Sequence, residues 1–254
     1  MSTVAAPDTP GAKRFGDLSG KEVKTVSASM TRFCEQYKRP ILPQYRTIVN
    51  DLIQSTHLTL VDARFKYDAV FALGLHGIYF RLLKSYPGEG EAQTIFDALT
   101  NCLDLESASI ASDAESLSTW AKSASEADLV AALKGEGDSQ LASIARAAKD
   151  DEFYLYSKMW GLGLIQMMEG AGIETTQEKV VELVEYVGFP VAKVKQDLVQ
   201  YKDVLEKALQ AEQLFKEIEI REKKKMAERL EEKAKRALAQ AQAADAASLA
   251  AQQK

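Results

Sequence analysis

Apolar positions recur along most of the chain at intervals of three and four residues, the period of a helix with one buried face. Thr25–Tyr37 carries the first such stretch, ended by Lys38, Arg39 and Pro40, because proline drives the residue before it out of the helical region. Pro43 stands where a helix accepts proline, in its first turn. Tyr45, Ile48, Val49, Leu52, Ile53 and Thr56 then share one face and predict a helix to about Leu58. AVFALGLHGIYF, Ala69 to Phe80, is apolar on nearly every side, the mark of a buried helix. Asp68 is its expected N-cap, and Pro87, Gly88 and Gly90 stop it after about Ser85. Glu91–Leu103 is amphipathic, with Ile95, Leu99, Cys102 and Leu103 inward. Ser112 with Glu115, Ser123 with Glu126, and Thr175 with Glu178 have the capping-box spacing. On that reading Asp104–Leu133 is a series of short helices, and a further helix runs from Thr175 to a C-cap at Gly188. Gly135–Ser139 is a surface turn, and Leu141–Lys149 leads into another apolar helix that ends at Gly170 and Gly172.

That second apolar helix echoes the first. FKYDAVFALGL, Phe65 to Leu75, returns as YLYSKMWGLGL, Tyr154 to Leu164, which pairs Tyr67 with Tyr156, Phe71 with Trp160 and Gly74 with Gly163. At a slightly shorter offset Leu99, Leu103, Leu105, Ile110 and Asp113 fall on Leu183, Val187, Phe189, Val194 and Asp197. An internal duplication around 65–113 and 154–197 accounts for both series. Neither unit can hide its apolar face alone, so a shared core is expected.

After Pro190 nothing breaks a helix again. Val191, Val194, Leu198, Tyr201, Leu205, Ala208 and Leu209 keep an apolar stripe that thins beyond Ile218 to Met226, Leu230 and Leu238. Between Lys216 and Arg236 nine basic and six acidic residues include Glu217–Arg221, Glu219–Lys223, Glu231–Lys235 and Glu232–Arg236 in the favourable four-residue order. Such a helix can persist without a core. With only six prolines and fourteen glycines among 254 residues, the chain reads as all-α: a multi-helix bundle, residues 25–215, with a long charged C-terminal helix projecting from it and an Ala/Gln-rich tail, 216–254. The Ala-, Ser-, Thr-, Pro- and Gly-rich residues 1–24 read as a disordered arm.

Composition narrows the chemistry. A formal net charge of -5 argues against a nucleic-acid binder. No phosphate loop, nucleophile elbow, kinase set or HExxH motif is present. His57 at the end of a helix and His76 on a buried one have no neighbouring Ser or Cys motif and read as structural, as do Cys34 and Cys102, whose separation fits no zinc spacing. No stretch reaches the length needed to cross a bilayer. The one functional-looking charge feature is Arg221, Lys223, Lys224, Lys225 and Arg229, candidate contacts with an acidic partner or anionic head groups. Two other readings stand beside it. The C-terminal helix could build a self-associating coiled coil, although its heptads are patchy. The aromatics of the repeated motif could instead line a pigment or lipid cleft.

At FKYDAVFALG the sequence resembles the thylakoid formation protein family, the photosystem II biogenesis factors of cyanobacteria and plastids. The likeness extends through TVS at Thr25–Ser27, RPI at Arg39–Ile41, YR at Tyr45–Arg46, HL at His57–Leu58, IFDAL at Ile95–Leu99, DAE at Asp113–Glu115, YSK at Tyr156–Lys158 and the charged C-terminal helix. Ala69 stands where the family usually has proline, and YLYSK replaces a form like FKYS. The resemblance implies a non-enzymatic helical protein without cofactor, metal or catalytic residues. It implies peripheral attachment to the cytoplasmic face of a cyanobacterial thylakoid and a role in photosystem II assembly and repair through an FtsH-type membrane protease.

Overall fold

Short polar caps and proline positions set most helix starts in the computed structural model, which describes the backbone of residues 8–252 and their side chains apart from Ala211, Glu219, Leu238 and 241–252. The helices are α1 (Pro10–Phe15), α2 (Val26–Gln36), α3 (Pro43–Leu60), α4 (Ala69–Leu82), α5 (Glu91–Cys102), α6 (Ser107–Ser123), α7 (Glu126–Lys134), α8 (Gln140–Asp150), α9 (Lys158–Gly170), α10 (Gln177–Val187) and α11 (Val191–Gln252). No strand occurs among the described residues. The fold is all-α with a long C-terminal helix, as the pattern predicts.

Asp68 caps α4 by accepting from the Phe71 N–H at 2.8 Å, and Ser157, its counterpart in the second motif, caps α9 by accepting from the Trp160 N–H at 3.1 Å. Other caps fall elsewhere than the spacing predicts. Ser112 and Ser123 lie within α6, which is held through that stretch by a buried face of Ile110, Ala114, Leu117 and Ala121. The backbone leaves the helical region only at Ala124, and a cap needs an extended residue, so the capping box is Ser125 with Asp128. Likewise Thr176, not Thr175, caps α10.

Residues from Pro10 onward differ from the expected disordered arm; Met1–Pro7 lie outside the described residues. Arg14 makes a bidentate pair with Asp151 at 2.5 and 2.9 Å, and Phe15 meets Phe153 edge to face at 5.4 Å between centroids. These partners are 137 residues away in sequence, which local composition does not register.

The chain divides into a unit ending at Val204 and a unit beginning at Leu205. Along the last helix, α11, apolar does not mean buried. Val194, Leu198 and Tyr201 are buried, whereas Leu209, Leu214 and Phe215 are exposed. Within the first unit α4 and α9 form the centre, each buried along most of its length. Arg81 at the end of α4 grips the Glu169 carboxylate of α9 and donates to the Tyr201 hydroxyl at 2.5 Å, tying the start of α11 to the pair.

Candidate functional site

The repeated motif makes the α4–α9 crossing. A Cβ on Gly74 would lie 1.8 Å from the Met159 carbonyl oxygen, and one on Gly163 would lie 2.1 Å from that of Val70. Gly163 follows Gly74 by 89 residues and Met159 follows Val70 by the same 89, so the contact is reciprocal across a pseudo-two-fold axis. Only glycine permits backbones to approach this closely. The satellites correspond as well. Tyr67 donates to Asp113 at 2.6 Å, while Asp197 lies beside the Tyr156 hydroxyl, and burial with that negative charge pushes the tyrosine up.

The aromatics of this centre pack on one another. Phe71 meets Phe65 at 5.0 Å, Tyr79 meets Phe96 at 4.8 Å and Trp160 meets Phe189 at 4.7 Å, with Phe71, Tyr79, Phe96 and Trp160 almost wholly buried. The cavity beside Tyr156 and Asp197 measures about 10 Å³, the space of one water molecule rather than of a pigment or lipid.

One pair bears on catalysis. Ser29 Oγ lies 3.0 Å from His57 Nδ1, a Ser–His contact that the sequence spacing conceals. Both residues are buried, at 0% and 3% exposure, so the pair joins α2 to α3 out of reach of a substrate. His76 packs against Phe80 at a tilt and Phe96 edge to face, and burial pushes its pKa down. Cys102 is buried, which raises its thiol to about 11, while Cys34 is exposed. Among the described residues no group of three or more His, Cys, Asp and Glu could hold a metal ion, and no helix is long and apolar enough to cross a membrane.

The predicted contact residues Arg221, Lys223, Lys224, Lys225 and Arg229 are all exposed on α11. They do not share one face. At 100° per residue the consecutive lysines point in three directions, whereas Arg221, Lys225 and Arg229 fall in line with the exposed Leu214 and Ile218. The expected Glu231–Lys235 and Glu232–Arg236 pairs form at 2.7 and 2.6 Å, and Glu212–Lys216 adds another at 2.6 Å. The side chain of Glu219, expected to pair with Lys223, lies outside those described.

A further concavity, of about 310 Å³, lies among α6, α7 and the turn before α8. Trp120, Ala124, Ala131 and Ala132 supply its apolar lining, and Asp128, Glu136 and Asp138 its acids. Sequence reasoning missed it because its parts come from three segments, each unremarkable by itself.

Residues 25–230, which include the central crossing and the α11 cluster, match the family model described as thylakoid formation protein. The chain belongs to this family. Among family members, the chloroplastic protein THYLAKOID FORMATION1 of Solanum tuberosum is 33% identical over 219 residues, spanning 85% of this chain and 74% of that one. The Arabidopsis thaliana counterpart is 34% identical, over 82% and 70% of the respective chains. Protein Thf1 of Cyanothece sp. is 28% identical, over 80% and 89%. The solved structure of Psb29 is similar with a TM-score of 0.72 and 27% identity, covering 81% of this chain and all of that one.

Proposed function

We propose that this member of the family is a non-enzymatic accessory protein of thylakoid biogenesis and of photosystem II assembly and repair, acting by binding and stabilising an FtsH-type membrane protease. The match to the thylakoid formation family over residues 25–230 is the observation that carries this reading. The likeness to Psb29 along the whole of that chain supports it. Attachment is peripheral, on the cytoplasmic face of the thylakoid. The bundle centred on α4 and α9 serves as a rigid platform, and the exposed basic residues Arg221, Lys223, Lys224, Lys225 and Arg229 offer contacts to an acidic protein surface. Exposed charges of this kind contribute more to encounter and orientation than to affinity, so the bundle surface must supply apolar contact as well.

The test is affinity isolation of the full chain and of a form ending at Phe215 from gently solubilised host membranes, with partners identified by mass spectrometry. Recovery of an FtsH-type protease with the full chain, and its loss with the shorter form, is the expected result. If neither form, both folded, retrieves a membrane complex, the adaptor reading fails.

A further inference from the structure

We propose that the basic face of α11 in one chain docks into the Trp120 cavity of a second copy, joining chains head to tail. Arg221, Lys225 and Arg229 follow one another at four-residue intervals, and Leu214 and Ile218, 55% and 41% exposed, continue the same line toward the start of the helix. At 100° per residue these five positions occupy an arc of about 80°. An exposed helical stripe that is apolar at one end and cationic at the other is a form that grooves recognise through anchors at helical spacing.

The cavity has the complementary chemistry. Trp120 is half-buried and supplies an indole, the aromatic surface that attracts a cation best. Ala124, Ala131 and Ala132 leave room along which the methylenes of a lysine or arginine can lie while its charged head stays at the rim. The rim carries Asp128, Glu136 and Asp138. The hydroxyl and backbone N–H of Ser125 hold the Asp128 carboxyl below its ordinary range, so it remains charged at neutral pH. About 310 Å³ is ample for one such side chain. The division of the cluster into several directions fits this mode better than a flat electrostatic surface, because one side chain enters while its neighbours remain solvated.

The second copy is the occupant because both complementary surfaces belong to the same chain and are present at equal concentration. The contact is heterologous, so assembly extends with concentration or closes into a ring, unlike a symmetric dimer. It is independent of the protease reading. Since both use Arg221, Lys225 and Arg229, a chain engaged with one partner is unavailable to the other through that face.

Sedimentation velocity on the full chain over a range of concentrations tests it. The mean mass should rise with concentration at low salt and fall back at high salt, since exposed charges are screened. Lys225→Glu, and separately Glu136→Lys with Asp138→Lys, should each weaken association at least tenfold; these side chains are exposed, and circular dichroism checks that each variant is folded. Mixing the two variants restores one native contact, basic face from one and acidic cavity from the other, and sets the introduced glutamate against the introduced lysines, so association should recover. Monomers at every concentration, an oligomer indifferent to both variants, or a mixture that does not recover would each overturn the proposal. Loss of binding to anionic phosphatidylserine vesicles by Lys225→Glu, with the wild-type chain monomeric throughout, would assign the face to a membrane instead.

Discussion

Single atoms decide the centre of this protein. Gly74 and Gly163 each face a backbone carbonyl that cannot retreat without moving a helix, so Gly74→Ala or Gly163→Ala should destabilise the chain by about 3 kcal/mol or more, measured by urea unfolding. Gly77→Ala is the control. Its Cβ would strike the terminal amide of Gln166, a flexible group that can swing aside at the loss of its 3.1 Å bond to the Leu73 carbonyl, so a smaller cost of about 1 to 2 kcal/mol is expected. Asp68 adds a pH-dependent prediction. Burial pushes its carboxyl above the ordinary aspartate value, and hydrogen bonds from the Tyr154 hydroxyl and the Phe71 and Val70 N–H groups recover only part of that shift. The folded chain therefore holds this proton more tightly than the unfolded chain. Its contribution to stability is full below the unfolded value, near roughly 4, and is lost as pH rises through the folded value. Asp68→Asn keeps a cap without titrating, so its stability relative to the parent should improve from roughly pH 4 upward. Unfolding curves at stepped pH would show it, and a gap moving the other way would mean that the hydrogen bonds outweigh the burial.

At the scale of the element, capping depends on where the backbone turns as well as on which residues stand there. Ser125→Ala removes a hydroxyl that accepts from the Asp128 N–H and donates to its carboxylate, while the backbone half of the capping box stays, a loss of about 1 kcal/mol. Ser112→Ala should be neutral or slightly stabilising, since an exposed position within α6 favours alanine. Paired thermal melts of the two variants distinguish the caps, although the sequence presents S-x-x-E at one and S-x-x-D at the other. The offset of the fainter repeat also reappears in the elements: α6 begins at Ser107 and α11 at Val191, 84 residues apart, the separation of Asp113 from Asp197. Helix identities were legible because prolines, glycines and apolar period act locally. Asp68 and Gly188 were legible as caps, but the N-caps of α7 and α10 were not, because neighbouring serines and threonines compete and the buried face of the helix arbitrates.

For the whole molecule, the division at Val204 makes a claim about cooperativity. The buried side chains that can be described lie at or before Tyr201, so a chain ending at Phe215 should keep its unfolding midpoint within about 2 °C while losing helical circular dichroism. A large fall in midpoint would mean that residues beyond Phe215 support the bundle. The candidate contact residues were readable as a charge run, since lysines and arginines on a helix without a core remain in solvent. Their separation into one aligned trio and two outliers follows from helical geometry, which a run of letters does not display. The Trp120 cavity is assembled from Trp120, Ala131 and Asp138, and no local pattern brings them together.

By itself the sequence determined the all-helical class, most helix spans, the two apolar central helices, the exposed charged helix and the family resemblance, because propensity, period and motif order are written locally. Tertiary structure alone decided that the two motifs cross reciprocally at Gly74 and Gly163, that Arg14 and Phe15 reach Asp151 and Phe153, and that Ser29 meets His57 out of solvent. Each of these joins residues far apart in the chain. Their proximity depends on how helices of known length fill one core, a constraint that no short window of sequence contains.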